Sequence, residues 1–111
     1  MSPLYQDPSI SHDEAIALLA SDVEANIKTA LVSIGLNEQD NQWAQNTCLE
    51  YLNSSAESIA ASAVIALGHI VRRHGRLDMS KVSPALGSVT DRFPALEATV
   101  ADTLEDMELY S

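Results

Sequence analysis

The stretch SSAESIAASAVIALGHIVRRHG, Ser54 to Gly75, places small or apolar side chains on nearly every side of a helical wheel. A helix without a polar face has to be enclosed, so the segment predicts a central helix wrapped by others. Ser54 and Glu57 have the spacing of a capping box, in which the hydroxyl accepts from an orphan backbone N–H and the carboxylate reaches back. Gly75 supplies a left-handed stop.

Toward the N-terminus, residues 1–10 contain Pro3 and Pro8 and show no periodicity, which reads as an arm whose Leu4, Tyr5 and Ile10 can dock onto the body. Ser11 and Glu14 form a capping-box pair that opens a short helix carrying Ile16 and Leu19, and Ser21 with Glu24 opens a second. In that second helix Val23, Ile27, Ala30, Leu31 and Ile34 fall on one side and Asp22, Asn26, Thr29 and Ser33 on the other, with an end near Gly35. Asn37 to Leu52 reads as a third helix. Its Trp43, Ala44, Thr47, Cys48, Tyr51 and Leu52 share one half; Gln42, Gln45, Asn46 and Glu50 share the other.

Beyond Gly75, Asp78 is placed to cap a short fifth helix running to about Val89 through Val82 and Leu86. Pro84 requires that helix to be short or bent. The last helix, from Phe93 or Pro94 to Leu109, aligns Leu96, Val100, Leu104, Met107 and Tyr110 in one arc and sets Glu97, Asp102, Glu105, Asp106 and Glu108 opposite. A weak internal repeat links the elements. Ser21, Glu24, Ala30, Ile34 and Gly35 recur 33 residues later as Ser54, Glu57, Ala63, Leu67 and Gly68. Successive helical pairs with small residues on the inner member predict an all-α fold, an α-solenoid of about three hairpins and five to six helices, spanning residues 11–111 as one domain.

Composition narrows the function. At 111 residues the chain can hold one core but not a core and a large enclosed cavity. Sixteen acids against six bases give a net charge of −10, which repels nucleic acid and anionic membrane and attracts basic partners. The imbalance is uneven: residues 1–71 hold nine acids and only Lys28, residues 72–92 hold five bases and two acids, and residues 93–111 hold five acids. The single Cys48 excludes an internal disulfide and suits a reducing compartment. No secretory signal or membrane-spanning run is visible, which places the chain in the cytoplasm by expectation.

The sequence gives no constellation for catalysis. His69 and His74 lie about 140° apart on a helix and do not share a face as i, i+4 metal ligands do. His12, Asp13 and Glu14 sit where a helix N-terminus favours acids regardless of any metal. Cys48 has no context that would depress its pKa, and no glycine-rich phosphate loop is present. We therefore expect no catalytic residue, metal or cofactor. His69 is expected to satisfy a buried hydrogen bond, and His74 with Arg72, Arg73 and Arg76 to sit at a helix C-terminus.

Several blocks carry a resemblance. Trp43 to Leu52, Ala63 to His69 (AVIALGH), Ile70, His74-Gly-Arg-Leu-Asp78, Val82-x-Pro-Ala-Leu86 and Ala101-Asp-x-Leu-Glu-Asp-Met-Glu-Leu-Tyr110 together resemble a family of small bacterial HEAT-like proteins. The most specific blocks are Leu67-Gly-His-Ile-x-Arg-x-His-Gly-Arg-Leu-Asp78 and the acidic C-terminal run. The chain departs from the family at Ala60, where an arginine is expected. The resemblance implies an immunity protein, including the contact-dependent growth inhibition type, that binds a co-encoded toxin domain.

With the charge, it implies a basic toxin partner, a nuclease, whose cleft meets an acidic surface. The candidate toxin-binding residues are Glu97, Asp102, Glu105 and Asp106 on the last helix, Asp22, Glu24 and Glu57 at the ends of the inner helices, and Trp43 as an anchor. Two other readings compete: an acidic mimic of nucleic acid, and an adaptor that binds a peptide or another helical protein.

Overall fold

The computed structural model describes residues 10–75 and 77–110, so the expectations for Leu4, Tyr5 and Arg76 lie outside the described residues. Six α-helices follow in order: α1 His12–Ala20, α2 Glu24–Asn37, α3 Asn41–Leu52, α4 Glu57–His74, α5 Met79–Arg92 and α6 Glu97–Tyr110, the last preceded by a 3-10 turn Pro94–Leu96. There is no strand among the described residues. The all-α expectation holds.

The helices pair as three hairpins, α1/α2, α3/α4 and α5/α6, stacked so that α4 packs on α2, α3 and α6. Bonds near the helix ends fix the directions. Ser58 at the start of α4 donates to Glu24 at the start of α2, while Arg73 at the end of α4 donates to the carbonyls of Gly35 and Glu38 at the end of α2. Thr103 of α6 donates to the Val64 carbonyl, and Arg72 pairs with Asp106 one turn further on. So α2, α4 and α6 run parallel in one layer, and α1, α3 and α5 form the other.

The enclosure predicted for α4 is present on three sides: Ile59, Ala60, Ala63, Val64, Ala66, Leu67, Ile70 and Val71 are all buried, while Ile65 faces solvent. They meet Leu31 and Ile34 from α2, Cys48 and Leu52 from α3, Val82, Leu86 and Val89 from α5, and Val100 and Met107 from α6 in one core. Gly75 ends α4 at φ 77°, the left-handed stop expected of it. Ala60, the position at which an arginine was expected, is fully buried.

A polar ladder exists. Arg73 donates to Gly35 and Glu38 at 3.0 and 2.8 Å, and the Nε2 of His74 lies 3.3 Å from the same Glu38 carbonyl. Arg92 donates to the carbonyls of Leu52 and Ser54. Each arginine thus caps the end of a helix in the preceding hairpin, satisfying carbonyls that have no partner within their own helix. Arg72, Arg73 and His74 stand in the last turn of α4 as expected, and Arg73 and His74 also reach the end of α2.

Other local expectations are corrected. The capping box forms at Ser11 and Glu14, but not at the two later serines. Ser21 accepts from the N–H of Val23 and Ser54 from that of Ala56, each two residues on, and each helix begins at the following glutamate. The repeat is real in geometry although its caps are not boxes. Val23 is consequently an exposed residue outside α2.

Helix α2 runs past Gly35 to Asn37, because Gly35 is a contact point and not a stop: a Cβ there would stand 2.8 Å from the Cα of Ala66. Helix α3 starts at Asn41, with Asp40 accepting from the N–H of Trp43. Ser33 and Gln45, assigned to polar sides, are buried; Ser33 accepts from the N–H of Ile10, and Gln45 accepts from that of Asp78 at 2.6 Å.

Helix α5 extends past Val89 to Arg92 and carries the exposed Pro84 in its interior. Asp78 occupies its cap position without a side-chain capping bond, accepting from the Ser80 hydroxyl instead. Tyr110 was aligned with the core arc of α6, yet it is exposed.

Two glycines should respond oppositely to alanine. Gly35→Ala forces α2 and α4 apart and should cost roughly 1–3 kcal/mol, as overpacking does, whereas Gly87→Ala, with nothing within 4 Å of the new Cβ, should stabilise by about 0.5–1 kcal/mol. Urea denaturation of both variants measures this. Arg73→Ala should lower stability by roughly 1–2 kcal/mol by orphaning the α2 carbonyls, read in the same experiment.

Candidate interaction face

The candidate residues separate into three places. Glu24 and Glu57 stand exposed in the first turns of α2 and α4, where the helix dipole favours a carboxylate, and Asp22 lies in the turn before α2 at φ 60°. Trp43 belongs to the other layer, on α3. It is half-buried with its ring centroid 4.2 Å from that of His12, and His12 in turn pairs with Glu38 at 3.0 Å. The remaining four are on α6.

The α6 carboxylates do not form one face. Glu97, Glu105 and Glu108 are exposed on the side away from α4, while Asp102 and Asp106 flank a groove of about 240 Å³ between α4 and α6 with Ile65, Gly68, His69, Arg72, Thr99 and Thr103. Asp106 is only 16% exposed and accepts from Arg72 at 2.7 Å. Gly68 leaves room for it: a Cβ at that position would lie 3.3 Å from both the Asp106 carboxylate and the Thr103 hydroxyl. Asp102, one turn earlier, is exposed and makes no ion pair among the described residues.

The sequence reading passed over what lies beside this groove. Val32 and Leu36 on α2 and Ile65 on α4 are 44%, 40% and 46% exposed, although all three are large and aliphatic. The parallel registers align them in rows across the layer. Thr29, Ser62 and Thr99 make one row, Val32, Ile65 and Asp102 the next, and Leu36, His69 and Asp106 the third. The offset is 33 residues from α2 to α4 and 37 from α4 to α6. A second groove of about 500 Å³, lined by Ala25, Lys28, Thr29, Val32, Ser33 and Ser62, continues the face over α2. The face is therefore apolar over α2, mixed over α4 and acidic over α6. The 33-residue repeat contained the signal, since it pairs Val32 with Ile65.

Four of the chain's cations, all exposed, have partners on the molecule itself. Arg72 is bound to Asp106, Arg73 and Arg92 to helix ends, and Lys81 stands 4.0 Å from Asp78. Arg92 also lies over the Phe93 ring, 5.1 Å from its centroid.

The groups with catalytic potential are dispersed. Cys48 is fully buried and its thiol is pushed up to about 12, the behaviour of a core residue. No three His, Cys, Asp or Glu side chains converge as metal ligands among the described residues. His69 faces the α4/α6 groove and His74 faces the end of α2. His69 is half-buried rather than part of the core.

The described residues thus define the class as a small all-helical domain of three stacked hairpins. No family profile and no curated protein matches the chain. Among solved structures, the crystal structure of the CDI complex from Cupriavidus taiwanensis LMG 19424 contains a chain of the same fold, with a TM-score of 0.80 and 28% identity over 98% of both chains. The resemblance to the contact-dependent growth inhibition family thus has a solved structural counterpart. No helix among the described residues is long and apolar enough to cross a membrane.

His69 offers a probe of the groove. Burial, then Arg72 and Arg73, lower its pKa from the ordinary 6.5, against the opposing charge of Asp106. The imidazole should titrate below 6.5 by NMR, and Arg72→Gln should raise the midpoint. The sign for stability follows, since the unfolded chain takes up this proton first as pH falls. The contribution is complete above the unfolded value and is lost as pH drops through the interval down to the folded one.

Proposed function

We propose that the protein is an immunity protein that binds a co-encoded bacterial toxin domain and blocks it without chemistry of its own. The observation that carries this reading is the end-to-end likeness to a chain of a CDI complex, over 98% of both chains at 28% identity. The partner we propose is a basic domain, a nuclease, whose substrate cleft is covered by a carboxylate-bearing surface of this protein.

The physical case is one of complementary fields. The chain carries a net charge of −10, and Asp102, Glu97, Glu105 and Glu108 stand exposed on one helix. An array of this kind raises the encounter rate with a cationic cleft and disfavours nucleic acid as a direct ligand. Occlusion needs no reactive side chain, which suits a chain whose cysteine lies in the core. Such an inhibitor works in the compartment where the toxin acts, which we take to be the cytoplasm.

The test uses the toxin domain encoded immediately upstream of this gene. One equivalent of the protein should abolish the toxin's hydrolysis of RNA or DNA, while the protein alone hydrolyses neither. Raising the salt from low to high should weaken binding by roughly tenfold or more, through screening of the charge pairs. Failure to inhibit that toxin would end the reading, and equal inhibition of unrelated basic nucleases would replace it with the nucleic-acid mimic.

A further inference from the structure

Resting on the immunity reading, we infer that the toxin docks across the α2/α4/α6 layer. An aliphatic part of its surface lies on Val32, Leu36 and Ile65, and a neighbouring lysine or arginine reaches Asp102.

Three observations define this occupant. First, the apolar part is anomalous for its surroundings: within residues 59–71 of α4 Ile65 alone is exposed, at 46%, and the register sets it in the row of Val32, with Leu36 in the next. Three aliphatic side chains in adjacent rows make a continuous patch, and such a patch rimmed by polar groups marks an interaction surface. Second, Arg72 holds Asp106 against Gly68, which leaves Asp102 as the unpaired carboxylate of the groove, with Glu105 further along the same helix. The cations of the face are Arg72, already neutralised, and Lys28, on the α2 side. A partner's basic group is therefore drawn to the α6 side and its aliphatic group to the middle.

Third, the dimensions fit. Two interaxial spacings of about 8–10 Å give a width near 20 Å, and rows one helical turn apart extend about 10 Å. That is the scale of the central cluster within a standard interface, with Thr29, Ser62 and Thr99 as polar rim. The other candidate surfaces lack this combination. Glu24 and Glu57 occupy positions that a helix dipole already favours, and Trp43 is engaged with His12.

Ile65→Ser, Ile65→Ala, Val32→Ser and Asp102→Asn all change exposed side chains, so helicity and the denaturation midpoint should stay near wild type. They would be titrated calorimetrically against the upstream-encoded toxin domain, with Asp91→Asn on α5 as a charge control. We expect Ile65→Ser to weaken binding by about tenfold or more. Asp102→Asn should weaken it several-fold at low salt and hardly at high salt, and Asp91→Asn should have no effect. If the wild-type protein inhibits the toxin while the Ile65 and Asp102 variants keep affinity within about twofold, the face is wrong and the immunity function stands. A loss of binding on Trp43→Ala or Glu57→Gln instead would move the interface to those surfaces. If the wild-type protein neither binds nor inhibits, both inferences fall together.

Discussion

The contact between Gly35 and Ala66 governs the arrangement of the rest. With a hydrogen in place of a side chain at Gly35, α2 and α4 approach until a Cβ would stand 2.8 Å from the Ala66 backbone. So close an approach tolerates little sliding, since interiors are packed to crystal-like density. It fixes the two helices in parallel at an offset near 33 residues. The bond from Ser58 to Glu24 at one end and those from Arg73 to the last carbonyls of α2 at the other follow from that register. So does the row that sets Val32 beside Ile65. One small residue thereby shapes a surface on the far side of its helix.

The use of charge follows the same architecture. A stack of parallel helices gathers unsatisfied carbonyls at one edge of each layer, and arginine can satisfy several at once. Arg73 and Arg92 do so for α2 and α3, and Arg72 pairs with Asp106, the α6 carboxylate against Gly68 of α4. At the opposite edge of the α2/α4/α6 layer, Glu24, Glu57 and Glu97 occupy first turns, where carboxylates stabilise the helices they begin. The acidity of that edge thus has a sufficient structural cause, whereas Asp102 lies mid-helix and gains nothing from a dipole.

Much of the fold was legible because the central helix states its own burial, and an enclosed helix in so short a chain leaves few arrangements other than stacked hairpins. What escaped was contact between elements. Ser33 and Gln45 are polar on any helical wheel, yet each is buried to satisfy a backbone N–H from another segment, Ile10 and Asp78, which no wheel displays. The capping boxes at Ser21 and Ser54 failed for a local reason. In both turns the hydroxyl takes the N–H two residues on, which delays the helix to the glutamate. That the same misreading occurred twice reflects the repeat itself. The carboxylates of α6 were legible as types, but their division between groove and open solvent was not, since it depends on Arg72 from a helix 34 residues earlier.

The exposed aliphatic residues were the least legible feature, because a sequence pattern assigns apolar side chains to a core by default. In two stacked layers a helix at the centre of its layer has neighbours on three sides only, and the fourth faces solvent whatever occupies it. Ile65 stands on that fourth side. Physical necessity does not require an aliphatic there; serine serves at Ser62 on the same strip of α4. A patch of bare aliphatics weakens solubility, an effect that the net charge of −10 counteracts. Charge and patch are complementary in another respect, because long-range attraction speeds encounter while desolvated apolar contact slows departure. A protein that must meet a charged partner quickly and remain bound requires both, and on this molecule they lie along a single row.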